Sequence, residues 1–240
     1  MRRILAGTHS VTEALQANAA GVHVVYVAPG VRLEQLGQLA KDRNVRIEQR
    51  TPAELDALAE GLRHQGVVAI GGDYPYLDLE GLLGGIEGAP FLLALDEITD
   101  PHNFGAMIRS AVALGAHGVL TLKDRAAPVT GAVVRASAGA TEHARIARVT
   151  NLARTLAELR DERGLSVVGL DAEGEHDIDA LPPAPEGRVL VVGSEGKGLR
   201  PLVRKQCTSL ARIPMTNAIA SLNASVAASI ALFATRPRPG

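Results

Sequence analysis

The sequence predicts an α/β protein in two parts, and three observations carry that prediction. Apolar runs of strand length recur along the chain, among them Val22 to Val27, Val67 to Ile70, Phe91 to Leu95, Val119 to Leu122, Ser166 to Leu170 and Val189 to Val192. Segments of helical spacing separate them, the alternation that builds sheets covered by helices. Breaks at Gly71 to Tyr76 and at Gly84 to Pro90 interrupt the alternation and mark a connector between domains. The expected boundaries are 1–72 for a first domain, 73–90 for a linker and 91–240 for a second domain.

Taken in order, Thr8 or Ser10 caps a helix through Ala17, and Val22 to Val27 reads as a buried strand. Leu33, Leu36 and Leu39 fall at helical spacing, and Val45 to Glu48 alternates as a short strand. Thr51-Pro52-Ala53-Glu54 is a helix start, with Thr51 as cap, Pro52 in the first position and Glu54 reaching back. These repeats describe a small α/β/α sandwich. In the second part, Phe91 to Leu95, Val119 to Leu122, His143 to Val149, Ser166 to Leu170 and Val189 to Val192 read as strands, and Asn103 to Leu114 as a helix. Continuous apolar strands separated by helices imply a largely parallel sheet covered on both faces. Asp171 to Gly187, acidic and carrying Pro182, Pro183 and Pro185, reads as a solvated loop. Ala218 to Ala234 is the nearest approach to a membrane span, but Ser221, Asn223, Ser225 and Ser229 break it, so it reads as a buried helix.

Charge narrows the functions. Lys and Arg number 25 against 26 Asp and Glu, and the first 76 residues hold 8 of each. Neither part is therefore a basic module that holds nucleic acid by bulk electrostatics. Aromatic residues make up 2% of the chain, with no Trp, which argues against a broad base-stacking platform. A single cysteine, Cys207, excludes an internal disulfide framework and a multi-cysteine metal site, and points to a reducing, cytoplasmic setting. The opening residues, Met1 to His9, carry Arg2 and Arg3 but no apolar stretch that would make a signal peptide.

Three segments carry chemistry. Leu95-Asp96-Glu97-Ile98-Thr99-Asp100-Pro101-His102-Asn103 leaves the carboxyl end of a strand, where open α/β sheets place ligands, and runs into a helix bearing Arg109. Alone, Asn103 reads as a turn residue and Arg109 as half of a surface ion pair. Val192-Gly193-Ser194-Glu195-Gly196-Lys197-Gly198 follows another strand, and its glycines allow close backbone approach to a ligand. It matches neither the phosphate-loop spacing nor the dinucleotide pattern, so alone it is equally a plain turn. Ile213-Pro214-Met215-Thr216-Asn217-Ala218-Ile219-Ala220-Ser221-Leu222-Asn223 leads into a helix dense in small residues, where Ser221 and Asn223 also serve as caps.

Together and in this order, the three segments resemble the SpoU family of RNA ribose 2′-O-methyltransferases, within the wider SPOUT class. Gly7 to Leu15 and His64 to Ala69 are similar to the ribosomal-protein-like RNA-binding domain that many members carry. Asp100-Pro101-His102-Asn103 and Val149 to Thr155 look most like the members that methylate a guanosine of 23S ribosomal RNA. The resemblance implies S-adenosylmethionine as methyl donor, no metal, a trefoil-knotted catalytic domain, a homodimer and no membrane partner. It implies donor contacts at Gly193, Ile213 and Leu222, and catalytic positions at Asn103, Arg109, Glu195, Ser221 and Asn223. Arg109 is then the residue that activates the ribose hydroxyl. A guanidinium keeps its proton in proteins, so gripping a phosphate and stabilising alkoxide charge are as open to Arg109 as acting as base. The chain departs from the family at Thr216-Asn217-Ala218, where members often carry Gly, with Asn217 as the substitute for a left-handed backbone. It also departs at Ala220 and Ala224, which are smaller than expected. Transfer RNA as substrate, and a non-catalytic RNA-binding or ribosome-assembly role, are the alternatives. Gly193→Val is expected to block donor binding and leave the protein folded.

Overall fold

The computed structural model describes residues 3–18, 21–32, 34–216 and 221–237. The chain packs as two compact units, 1–75 with Pro128–His143, and 76–127 with 144–240.

In the first unit, β1 (Arg3–Ala6), α1 (Thr8–Asn18), β2 (Val22–Val27), α2 (Glu34–Asp42), β3 (Arg46–Gln49), α3 (Pro52–Ala59) and β4 (Val67–Gly71) form a four-stranded sheet in the order β1-β4-β2-β3. β4 is antiparallel to both neighbours, and β2 and β3 are parallel. Side chains alternate across a strand, and here both parities are buried. Ile4, Val24, Val68 and Ile70 pack with Leu55 and Ala59 of α3, whereas Leu5, Val25 and Ala69 are fully buried on strands contacted by α1. The expected cap is present: Thr51 accepts from the Glu54 N–H, and the Glu54 carboxylate accepts from the Thr51 N–H at 2.8 Å. The bond from the Thr51 N–H, and a second from the Thr51 hydroxyl, hold the Glu54 carboxyl below its ordinary range.

Pro128–His143 belongs to this unit, whereas the sequence reading ran the second domain unbroken from residue 91. Two buried contacts explain the grouping. Arg3 and Glu142 form an ion pair at 2.7 Å with side chains 2% and 1% exposed, and Tyr74 Oη donates to the Thr141 carbonyl at 2.9 Å.

The second unit contains α4 (Leu79–Leu83), β5 (Phe91–Leu95), α5 (Pro101–Ala113) and β6 (Gly118–Leu122). A short helix within Pro128–His143, α6 (Gly131–Ala136), is left to the first unit. The second unit continues with β7 (Ile146–Val149), α7 (Leu152–Asp161), β8 (Ser166–Leu170), β9 (His176–Asp177), β10 (Arg188–Val192), α8 (Pro201–Arg204), β11 (Ser209–Arg212) and α9 (Ala224–Thr235). Its seven-stranded sheet, in the order β7-β6-β5-β10-β8-β11-β9, is parallel throughout. Leu92, Ala94, Leu120, Val167, Val189 and Val191 pack with Leu82 of α4, Leu156 and Leu159 of α7 and Val203 of α8. The opposite parity, including Leu93, Leu95 and Leu190, is fully buried on the side of α5 and α9.

Two expectations need correction. The acidic segment after Leu170 is not wholly loop, because β9 pairs with β11 and Ile178 is buried. The last helix begins at Ala224 and is buried on one side only, since Val226, Ile230 and Phe233 are 46%, 39% and 59% exposed. The expected left-handed role of Asn217, and the small residue Ala220, lie outside the described residues.

Candidate active site

In an open parallel sheet the crevice forms beyond the carboxyl ends of the strands. Here the ends of β8, β10 and β11 enclose a cleft of about 660 Å³, lined by Leu170, Asp171, Gly193 to Leu199, Ile213, Met215, Ser221 and Leu222 among others.

The start of α5 places the first polar group. Asp100 caps the helix by accepting the Asn103 N–H at 2.9 Å, with Pro101 next in line. A cap contributes about 1 kcal/mol. Each of the buried Phe104, Met107 and Ile108 contributes about 1.5–3 kcal/mol. The apolar face therefore anchors α5, and the cap decides where it begins, which puts the Asn103 side chain in the first turn.

From that turn Asn103 joins all three segments. Its Nδ2 donates to Glu195 Oε2 at 3.2 Å, and its Oδ1 accepts from Asn223 Nδ2 at 3.0 Å. Asn223 is at the same time the cap of α9, its Oδ1 accepting from the N–H groups of Ser225 (2.9 Å) and Val226 (3.3 Å). The two helices also meet through Ser110 and Ser229, whose hydroxyl oxygens lie 2.7 Å apart. Ser229 donates to the Ser225 carbonyl, which leaves Ser110 as the donor of the pair.

The glycines of the loop have separate reasons. Ser194 and Gly198 exchange two backbone hydrogen bonds, at 3.1 and 2.9 Å, which folds the loop back over Gly193. A Cβ on Gly193 would run into the backbone of Gly198 and Leu199. Gly196 and Gly198 have φ of +79° and +65°, the left-handed region that glycine enters without strain. A side chain at Gly193 must displace the loop itself, which is how Gly193→Val would block the cleft.

Of the expected site residues, Gly193, Glu195, Ile213, Ser221 and Leu222 line the cleft, and Asn103 and Asn223 reach it through Glu195. Arg109 stands apart. Six residues along α5 from Asn103 amounts to about 9 Å of rise and about 120° of rotation, and Arg109 is exposed with no side-chain hydrogen bond or ion pair among the described residues.

Sequence reasoning missed Asp171 and Arg204, which line the cleft and pair at 3.0 Å, with Asp171 also accepting the Glu173 N–H at 2.9 Å. The signal was available, because Asp171 directly follows β8 as Gly193 follows β10. Cys207 is no part of the cleft. It donates to the Val203 carbonyl at 3.6 Å, and burial pushes its thiol up to about 11. Among the described residues no cluster of three or more His, Cys, Asp and Glu is arranged to hold a metal ion, and no helix is long and apolar enough to cross a membrane.

Comparison with known proteins agrees with this geometry. Residues 90–233 match the SpoU rRNA Methylase family, and residues 4–77 match the RNA 2′-O ribose methyltransferase substrate binding family. The 23S rRNA (guanosine-2′-O-)-methyltransferase RlmB of Pseudomonas aeruginosa is 42% identical over 239 residues, 95% of this chain and 93% of that protein. YacO of Bacillus subtilis, assigned to the TrmH family of tRNA/rRNA methyltransferases, is 45% identical over 206 residues, 83% and 80% of the two chains. The crystal structure of the SpoU methyltransferase AviRb from Streptomyces viridochromogenes, in complex with AdoMet, superposes with a TM-score of 0.82 at 25% identity, covering 97% of this chain and 88% of that one. This chain belongs to the SpoU rRNA methylase family.

Proposed function

We propose that the protein transfers a methyl group from S-adenosylmethionine to the ribose 2′-hydroxyl of a guanosine in 23S ribosomal RNA. The observation that carries this reading is the Asn223–Asn103–Glu195 chain, which ties the three family segments together at the edge of a single cleft. The RlmB relative, aligned over nearly the whole chain, supports the RNA and the nucleotide.

The cleft fits the donor. Its volume lies in the range of small-molecule sites, about 300–1,000 Å³, and its lining pairs apolar Ile213, Leu222 and Met215 with close backbone at Gly193. In our reading, Ile213 and Leu222 flank the apolar part of the donor, and Gly193 lets backbone groups approach it. When bound, the donor supplies a methyl group already activated by a sulfonium charge. Asn103, Glu195 and Asn223 hold the glycine loop and the two helix starts at fixed separation, which preorganises the cleft. Ser221 offers a hydroxyl at its rim. Arg109, with no side-chain partner among the described residues, grips the RNA and stabilises charge on the ribose oxygen as its proton leaves.

A homodimer is part of the same reading. Val226, Ile230 and Phe233 recur at spacings of four and three along α9, and so form one exposed apolar stripe. Ser110, next to Arg109, bonds to this helix. Pairing two copies across the stripe would remove it from water. The first unit, matched by the substrate-binding family, is the RNA-docking part, and a ribosomal RNA substrate implies a cytoplasmic location. The test is transfer of labelled methyl to 23S and transfer RNA, with the modified nucleoside identified by mass spectrometry. Label only on transfer RNA, or none despite donor binding, would overturn the reading.

A further inference from the structure

A fully buried acid sits below the glycine loop and has no part in the chemistry above. Asp96 follows β5 directly and is 0% exposed. Its Oδ2 accepts the Arg200 backbone N–H at 2.9 Å, and its Oδ1 accepts Arg200 Nε at 2.7 Å with Nη2 at 2.6 Å. The Asp96 N–H donates to the Val192 carbonyl at 2.9 Å, so one residue is tied to the strand that enters the loop and to the residue that leaves it. Arg200 also lies 3.4 Å from Glu97 Oε1, which holds Arg125 at 2.9 Å. Glu97 has φ of +58°, a left-handed conformation for a residue with a side chain, kept only where surroundings over-determine it.

Stability alone does not call for an ion pair here. A buried ion pair is often no better than apolar packing of the same volume. The pair does what apolar packing cannot, because a carboxylate bound by a backbone N–H and a guanidinium fixes direction as well as position. The segment it anchors needs such fixing. Gly193, Gly196 and Gly198 give the loop a permissive backbone; besides the Ser194–Gly198 backbone pair, the bond from Asn103 to Glu195 ties its tip among the described residues.

We infer that Asp96 and Arg200 are a positioning pair that holds the loop from Gly193 to Leu199 in its donor-binding shape. This rests on the cleft being the donor site. Arg200→Gln removes the guanidinium and keeps the backbone N–H, and Arg200→Lys keeps the charge. Donor affinity by calorimetry, single-turnover rate at saturating donor, melting temperature and amide exchange of residues 194–199 with and without S-adenosylmethionine together test it. The expected result is a donor affinity at least tenfold weaker in Arg200→Gln, faster exchange in the loop, and a smaller loss of rate at saturating donor. Arg200→Lys should recover part of the affinity. Asp96→Asn should follow Arg200→Gln; if it fails to fold, the Arg200 variants still decide, since that side chain is 30% exposed. A lowered melting temperature with unchanged affinity would make the pair merely structural and overturn the inference. If the donor protects the wild-type loop while Arg200→Gln binds it as tightly as wild type, the inference fails and the cleft stands. If the donor leaves wild-type loop exchange unaltered, the cleft reading fails and takes the inference with it.

Discussion

Replacing Asn103 by Asp keeps the side chain's shape and reverses one of its two contacts. The Asn223 amide can still donate to the carboxylate, as it does to Oδ1 at 3.0 Å. The contact to Glu195, a hydrogen bond at 3.2 Å, becomes two carboxylate oxygens facing each other. Unit charges at that distance repel by about 1.3 kcal/mol when water screens them fully, the relevant limit because Glu195 is exposed. Losing a hydrogen bond to a charged acceptor adds about 1.5–3 kcal/mol. The sum is an upper limit, since the carboxylates can swing apart. The expected loss in donor affinity or single-turnover rate is between about tenfold and a hundredfold. Asn103→Ala gives up both bonds without repulsion, and the lost Asn223 bond, about 0.5–1.5 kcal/mol, nearly offsets the repulsion it avoids, so the two variants should fall within a few-fold of each other. Folding should not suffer, because a negative charge in the first turn of α5 favours the helix. Adding Glu195→Gln to Asn103→Asp removes the repulsion of about 1.3 kcal/mol and should recover about tenfold, a coupling measured by the double-mutant cycle. Wild-type activity in either variant, or no recovery with Glu195→Gln, would refute the role given to the chain.

The other expectations separate along similar lines. Arg109→Ala should change stability by no more than about 0.5 kcal/mol, as for an exposed unpartnered side chain, while single-turnover transfer collapses. Arg109→Lys should fail as well, for want of the planar fork, and a near-normal lysine variant would show that charge suffices. Gly193→Ala should lose donor binding and melting temperature together. Gly196→Ala, with open space around its Cβ, should cost only about 1–2 kcal/mol of left-handed strain; similar melting curves for the two would contradict the close approach at Gly193. Native Cys207 should react slowly with a thiol reagent at pH 8. Because burial raises its thiol to about 11, it binds its proton more tightly folded than unfolded, and stability should fall as pH rises from about 8.5 towards 11. Rapid labelling of the folded protein would contradict that burial. Phe233→Glu should yield a monomer by light scattering, and an unchanged dimer mass would place the interface elsewhere.

What was legible in the sequence follows the range of the interactions. Phe91–Leu95 and Val189–Val192 were readable because strands buried on both faces are continuous apolar runs. The Thr51–Glu54 cap was readable because its partners are three residues apart. The three segments of the site were visible, but their meeting was not, because the Asn103 bonds reach across 92 and 120 residues. The resemblance supplied what spacing could not. The grouping of Pro128–His143 with the first unit depends on the pair Arg3–Glu142, 139 residues apart, which no local pattern announces. β1 escaped notice because four residues beside the N-terminus carry little periodicity, and pairing to β4 is what makes them a strand. The exposed side of α9 was hidden by composition, since a run rich in Ala and Ile reads as buried whichever way it faces.

The most direct test of the account is to incubate the purified protein with S-adenosylmethionine labelled in its methyl group and unmodified 23S ribosomal RNA, then digest the RNA and identify the labelled nucleoside and its position. Label is expected in 2′-O-methylguanosine at one site, transferred at least about tenfold more slowly by Asn103→Asp. Label on a base, label spread over many riboses, or transfer unaffected by Asn103→Asp would contradict it.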